Sequence, residues 1–266
     1  MIFILGLDGL EFDLVEELDL TNLKQREYGR IEVPISESLG VPASPEVWAS
    51  FLTGEVTTHI RFAKPFYIEI PLKALMFMRR HINLSLGLGK KLSDRGASRF
   101  PKLKRKTFLD HVKSKAINVP YVNHDHMALN AIHDFRVGKI SLREAVDRLK
   151  AIYEGRKSQI LNEVEKGGNV DVVFAFMHFP DSLQHFMLNR PGEVRRHYRD
   201  LDDFVSSLKR RIGGSTVFII VSDHGFDFKA KTHSKYGFYS SNVLLNPRPK
   251  RITDFFNLII EETGEG

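Results

Sequence analysis

The sequence predicts an α/β protein, and three observations carry that prediction. Apolar runs of strand length recur at residues 2–7, 170–178 and 215–221, rich in the β-branched and aromatic residues that suit strands buried on both faces. Each run breaks abruptly into polar residues, at Asp8-Gly9, at Pro180-Asp181 and at Ser222-Asp223-His224-Gly225. Segments with apolar residues at helical spacing separate the runs, an alternation that builds strand-helix units.

Taken in order, residues 2–7 form the first strand. Leu10, Leu14, Val15 and Leu18 repeat at helical spacing and place a helix over about 10–20. A short strand follows at about 30–35. Ser44-Pro45 then has the grammar of a helix start, with Ser at the cap, Pro at the first helical position and Gly54 as the stop. The Ser44 hydroxyl therefore sits at a helix N-terminus, in a field that favours anions. Simple capping is the plainer role for the same residue.

Residues 55–106 differ from their surroundings. A Met- and Leu-rich amphipathic helix over 70–82 is too short to span a bilayer. Beyond a joint at Gly87 and Gly89, a basic run of Lys90, Lys91, Arg95, Arg99, Lys102, Lys104, Arg105 and Lys106 faces only Asp94. The segment reads as a basic insertion over the sheet's edge. A solvated flap and a patch for nucleic acid or a membrane surface both fit it.

The α/β pattern resumes at Thr107. Residues 108–112 read as helical and 116–122 as a strand, with Asn123-His124-Asp125-His126 just past its end. Ser141 and Glu144 form a capping box that opens a long helix, closed by Gly167-Gly168. A helix over about 192–212 leads into the strand at 215–221. A hairpin-like piece at 238–245 and a helix from about 252 complete the chain, which is expected to be one catalytic domain over 1–266 carrying the insertion.

Composition bounds the chemistry. A chain of 266 residues can bury a substantial core. It contains no cysteine, so disulfides and thiolate metal sites are excluded, and any metal must be held by His, Asp or Glu. The first residues lack a basic n-region and their apolar run is too short for a signal peptide, so a cytoplasmic setting is expected. A formal charge of +6 favours anionic partners modestly.

In open α/β sheets, ligands bind beyond the carboxyl ends of the strands. The strand ends supply Asp8, the Ser44 helix, Asp181 with His185, and Asp223 with His224, and His233 follows ten residues after Asp223. Each residue alone has a bland reading, Ser-Asp-His-Gly being good turn chemistry as well. Three Asp, three His and one hydroxyl on one edge are explained together by a two-metal centre, in which two divalent ions about 4 Å apart clamp both oxygens of an in-line displacement.

These residues also resemble the alkaline phosphatase superfamily, specifically its type I phosphodiesterase and nucleotide pyrophosphatase branch. The resemblance rests on Gly6-Leu-Asp8-Gly9, Ser44-Pro-x-x-Trp48 ending in Thr53-Gly54, Pro180-Asp181-x-x-x-His185, Ser222-Asp223-His224-Gly225 and His233. Ile117-Asn-Val-Pro120 is similar to a strand of prokaryotic members. The match touches most of residues 1–245 apart from about 55–106. It implies a mixed, mostly parallel sheet sandwiched by helices, and two divalent ions, zinc first with manganese or iron as alternatives. One ion falls to Asp181, His185 and His233, the other to Asp8, Asp223, His224 and the Ser44 oxygen, with Ser44 as nucleophile.

The chain departs from that pattern in two places. Glu46-Val47-Trp48 stands where the branch carries an Asn that binds a phosphoryl oxygen, so either a backbone N–H, Lys235, Arg61 or a residue of the insertion makes that contact, or phosphate affinity is lower. Glu55-Val-Thr-Thr-His59 replaces the usual Gly-Lys-His-Gly-like segment. The expected function is hydrolysis of a small phosphate ester or nucleotide-like substrate through a phosphoserine. The alternatives are a phosphosugar or phosphoglycerate mutase, and a relict site that binds nucleic acid or membrane phosphates.

Overall fold

Strand β1 (Ile2–Asp8) is buried along its whole length at the centre of the sheet in the computed structural model, which describes residues 1–58, 100 and 102–264. The six-stranded sheet also contains β2 (Glu27–Glu32), β3 (Ser114–Ile117), β4 (Val172–Pro180), β5 (Val217–Ser222) and β8 (Tyr236–Ser241), in the order β2-β8-β5-β1-β4-β3. Pairs β3·β4, β4·β1 and β1·β5 are parallel, whereas β8 runs antiparallel to both of its neighbours. The sheet is mixed and mostly parallel. Its apolar central strands are what a sheet covered on both faces requires.

Alternation along β1 sends Phe3, Leu5 and Leu7 to one face and Ile2 and Ile4 to the other. The first face is covered by α1 (Phe12–Glu17), α2 (Thr21–Lys24), α4 (Met127–Arg136), α5 (Leu142–Glu165) and α7 (Pro191–Ile212), which contribute Val15, Leu23, Ala131, Tyr153 and Leu201 to its core. The second is covered by α3 (Ser44–Thr53), a 3-10 turn (Phe108–Asp110) and α8 (Asp254–Glu262). There Trp48 lies edge-on to Phe51 and Phe176, with ring centroids 5.7 and 5.1 Å apart. Such aromatic pairs add about 0.5–1.5 kcal/mol each beyond the area they bury. Trp48 thus locks α3, and with it Ser44, against β4.

Several elements differ from the sequence reading. The helix expected over 10–20 is α1 alone, because Asp19 takes a left-handed φ of 50° and α2 starts afresh at Thr21. The third strand is confined to Ser114–Ile117, since Asn118 and Tyr121 at φ of 59° and 66° turn the chain away. Helix α4 gave no start signal, its cap residue His126 offering no side-chain bond. Helix α6 (Asp181–Gln184) follows β4 directly, and the two-residue strands β6 (Phe226–Asp227) and β7 (Thr232–His233) pair antiparallel beside the sheet.

Arg61, the 70–82 helix, Gly87, Gly89 and the basic residues from Lys90 to Arg99 lie outside the described residues. Lys102, Lys104, Arg105 and Lys106 are exposed, and Arg105 pairs with Glu55. Among the described residues no helix is long and apolar enough to cross a membrane.

Candidate active site at the carboxyl edge

The seven residues singled out from the sequence converge at the carboxyl edge of β1, β4 and β5. Asp8 ends β1, where the pairing with β4 slips from Leu7↔Met177 to Asp8↔Pro180 and frees the side chain at the edge. Gly9 must follow. Its φ is 75°, and a Cβ there would lie 2.6 Å from Cβ of Asp181. Asp223 and His224 continue β5, and the Gly9 N–H donates to Asp223 Oδ1 at 3.1 Å.

Ser44 is the first residue of α3 rather than its cap. Ala43 occupies the cap position without a side-chain bond, and the Ser44 hydroxyl instead donates to Asp8 Oδ1 at 3.1 Å. The same oxygen lies 3.1 Å from His224 Nε2. His224 Nε2 is 3.4 Å from Asp8 Oδ1 and 3.3 Å from Asp223 Oδ2. A second group sits beside this one. His185 Nε2 lies 3.2 Å from Asp181 Oδ1 and 3.3 Å from His233 Nε2, and His233 Nε2 lies 3.7 Å from Asp181 Oδ1. His224 and His233 stack with ring centroids 3.7 Å apart, joining the two groups.

These distances fit divalent cations. Tetrahedral coordination with bonds of about 2.0–2.2 Å separates neighbouring ligand atoms by about 3.3–3.6 Å, which both groups approach. His224 Nδ1 is 2.9 Å from the Gly225 carbonyl and His233 Nδ1 is 2.9 Å from the Pro42 carbonyl, so both rings present Nε2 to the site. Asp223 Oδ2 and Asp181 Oδ1 are buried with no hydrogen-bond donor. Orphaned carboxylate oxygens of this kind are costly unless a cation or proton meets them.

The electrostatics reflect three carboxyl groups drawn into one place. Burial raises the Asp223 carboxyl, the charge of Asp8 raises it further, and it titrates well above its ordinary range. Burial acts the same way on Asp8, but hydrogen bonds from His178 and His224 outweigh it and hold that carboxyl well below its usual value. His224 is pushed up to about 10, the charge of Asp223 and the bond to Asp8 overcoming burial. Burial lowers His233 to about 4, assisted by His224.

Two residues at the site were not singled out from the sequence. His178 Nδ1 lies 2.7 Å from Asp8 Oδ2, occupying the carboxylate oxygen that Ser44 and His224 leave. Glu11 is buried behind the site and accepts from Phe226 N at 2.6 Å, Ser234 Oγ at 2.7 Å, Tyr236 OH at 2.8 Å and Asp13 N at 3.0 Å. It ties the end of β1 to the arm that carries His233. Gly225 makes room for it, because a Cβ there would come within 2.3 Å of Glu11 Oε2.

Comparison with known proteins places the chain. The family model for type I phosphodiesterase / nucleotide pyrophosphatase matches residues 2–238. No curated protein sequence matches the chain. Among solved structures, the PH0037 protein from Pyrococcus horikoshii is similar with a TM-score of 0.53 at 12% identity, covering 100% of this chain and 97% of that one. Alkaline phosphatase from the Antarctic bacterium TAB5 gives a TM-score of 0.51 at 12% identity, covering 99% of this chain and 97% of its own. Murine ectonucleotide pyrophosphatase / phosphodiesterase 5 is 15% identical over 84% of this chain and 57% of its own, with a TM-score of 0.40. The mixed α/β sheet is thus that of the alkaline phosphatases, and the chain belongs to the type I phosphodiesterase / nucleotide pyrophosphatase family of phosphoesterases.

Proposed function

We propose that the protein hydrolyses a phosphodiester or nucleotide pyrophosphate at a two-cation centre, with Ser44 as nucleophile. The observation that carries this reading is the placing of the Ser44 oxygen 3.1 Å from both Asp8 Oδ1 and His224 Nε2, inside a set of ligand atoms at coordination spacing. Asp8, Asp223, His224 and Ser44 hold one cation in this reading, and Asp181, His185 and His233 the other. When bound, divalent cations, zinc first, lower the pKa of a nearby hydroxyl and offset charge on the phosphoryl group.

The chain's own residues do the rest. Asp8 fixes the Ser44 hydroxyl, and the position of Ser44 at the N-terminus of α3 places a favourable dipole beside an incoming anion. The Ser44 Oγ–P bond forms as the bond from phosphorus to the leaving oxygen breaks, the Ser44 proton departing on that leaving oxygen, and the product is a Ser44 phosphoryl ester that keeps the substrate's second substituent. Water then attacks phosphorus, the Oγ–P bond breaks, and Ser44 regains its proton. A panel of aryl phosphodiester, nucleotide pyrophosphate and monoester substrates, assayed with and without zinc or manganese, tests the reading. Cation-dependent turnover of the first two with a label trapped on Ser44 is expected. Turnover that ignores divalent cations would overturn it.

A further inference from the structure

A basic hollow lies along the edge strand β2. This hollow of about 650 Å³ is lined by Arg30, Lys235, Arg248 and Lys250, with Glu32 as the one acid and Tyr236 as its wall toward the catalytic edge. Its guanidiniums are already fixed. Arg30 is paired with Asp13 and lies over the Tyr236 ring, 4.3 Å from the centroid. Arg248 Nε donates to Tyr239 OH at 2.6 Å and Nη2 to the Tyr28 carbonyl at 3.1 Å. Lys235 and Lys250 are exposed and form no ion pair among the described residues.

The position of the hollow ties it to the site. β8 runs antiparallel to β5, so its first residue, Tyr236, lies at the carboxyl edge. There the Tyr236 carbonyl accepts from Gly225 N at 2.9 Å, directly after His224. β2 is two strands from β5, and strand spacing of about 4.8 Å sets the hollow about 10 Å to one side of Asp223. Ser44 lies against Asp8 at the end of β1, one strand further, so a ligand bound there by one phosphate has to extend about 10–15 Å for its next groups to enter.

We infer that this hollow binds the phosphate backbone of a chain polyanion, so that the substrate is a phosphate chain rather than a compact ester. The inference rests on the phosphoesterase reading for the substrate's orientation. Recognition is of charge at intervals. The Tyr236 ring is taken by Arg30 and Tyr239 is buried, so the hollow offers no aromatic face for bases and binding is independent of sequence. Two sources share this chemistry, a single-stranded oligonucleotide and inorganic polyphosphate.

The test is fluorescence anisotropy with full-length Ser44→Ala, which holds ligand without turnover, using fluorescein-labelled oligothymidylate in one arm and competition by inorganic polyphosphate in the other. Lys235→Gln/Lys250→Gln in that background should weaken binding at least about tenfold at low salt and reduce the slope of log Kd against log salt by about 1.4, the share of two phosphates. A control, Lys209→Gln/Arg210→Gln at the end of α7, removes equal charge elsewhere and should weaken it less than about twofold. Loss confined to the first pair supports the groove, and the arm that shows it identifies the chain. Equal loss in both variants, or no binding of either polyanion, overturns the inference. Either result leaves the Ser44 reading standing, because hydrolysis of small aryl diesters is measured separately.

Discussion

The two groups of candidate ligand atoms at the carboxyl edge of the sheet are held in different ways. Asp8, Asp223 and His224 extend from adjacent central strands, and their side chains are 2%, 0% and 0% exposed. Asp181, His185 and His233 sit on or beside a four-residue helix and a two-residue strand, and are 16%, 40% and 20% exposed. The first group inherits its geometry from the packed sheet. The second has little core of its own, and Glu11 supplies what the core does not by tying β6, the Ser234 hydroxyl and Tyr236 to the end of β1. Binding atoms on strands are positioned by folding itself, whereas atoms on short connections depend on a few buried hydrogen bonds.

The largest effect is expected at Ser44, which belongs to the rigid half. Ser44→Ala should lower kcat by about 10⁴-fold or more while the thermal midpoint stays within about 2 °C, since under the proposed mechanism the lost group is the nucleophile, and it is neither a cap nor a core residue. Turnover within tenfold of the parent would move the nucleophile elsewhere. A smaller effect is expected from His178→Ala, which releases Asp8 Oδ2. Cation affinity of the Asp8 group, read by chelator competition, should fall about 10–100-fold, with partial recovery in His178→Gln. Unchanged affinity would mean that the strand end alone orients Asp8.

Glu11→Ala addresses the other half. It strands four buried or half-buried donors at about 1–3 kcal/mol each, partly relieved by water, so the thermal midpoint should fall and a cation bound at Asp181, His185 and His233 should exchange faster than one bound at the Asp8 group. Equal acceleration at both positions would erase the distinction between the halves. The smallest effect lies away from the site, at the 3-10 turn. The Thr107 N–H and hydroxyl bond Asp110 and hold its carboxyl below the ordinary range. That stabilisation is present above the unfolded pKa and is lost as pH falls through the folded one. Asp110→Asn should therefore lower stability only slightly at pH 7, because solvent screens an exposed carboxyl, and the gap to the parent should close in acid.

Most of the edge was legible because its residues interrupt apolar runs. Asp8, Asp181, Asp223 and His224 stand out as polar groups ending buried strands, and Ser44 precedes a proline. His178 was not legible in this way, because it lies inside the apolar run of β4 and reads as a core position. Glu11 carried no signal either. The partners that tie it to the site are more than 200 residues away in sequence, and locally it only caps a helix through Asp13 N. Helix α4 escaped notice because neither a capping side chain nor an acidic first turn marks its start.

If the seven side chains form a two-cation centre containing Ser44, the metal content of the protein reports it. Protein stripped with chelator, reconstituted with zinc and freed of excess should retain about two ions per chain, and His233→Ala should retain about one, by elemental mass spectrometry. A parent protein that retains no ion under these conditions, or a His233→Ala variant that keeps two, would exclude such a centre.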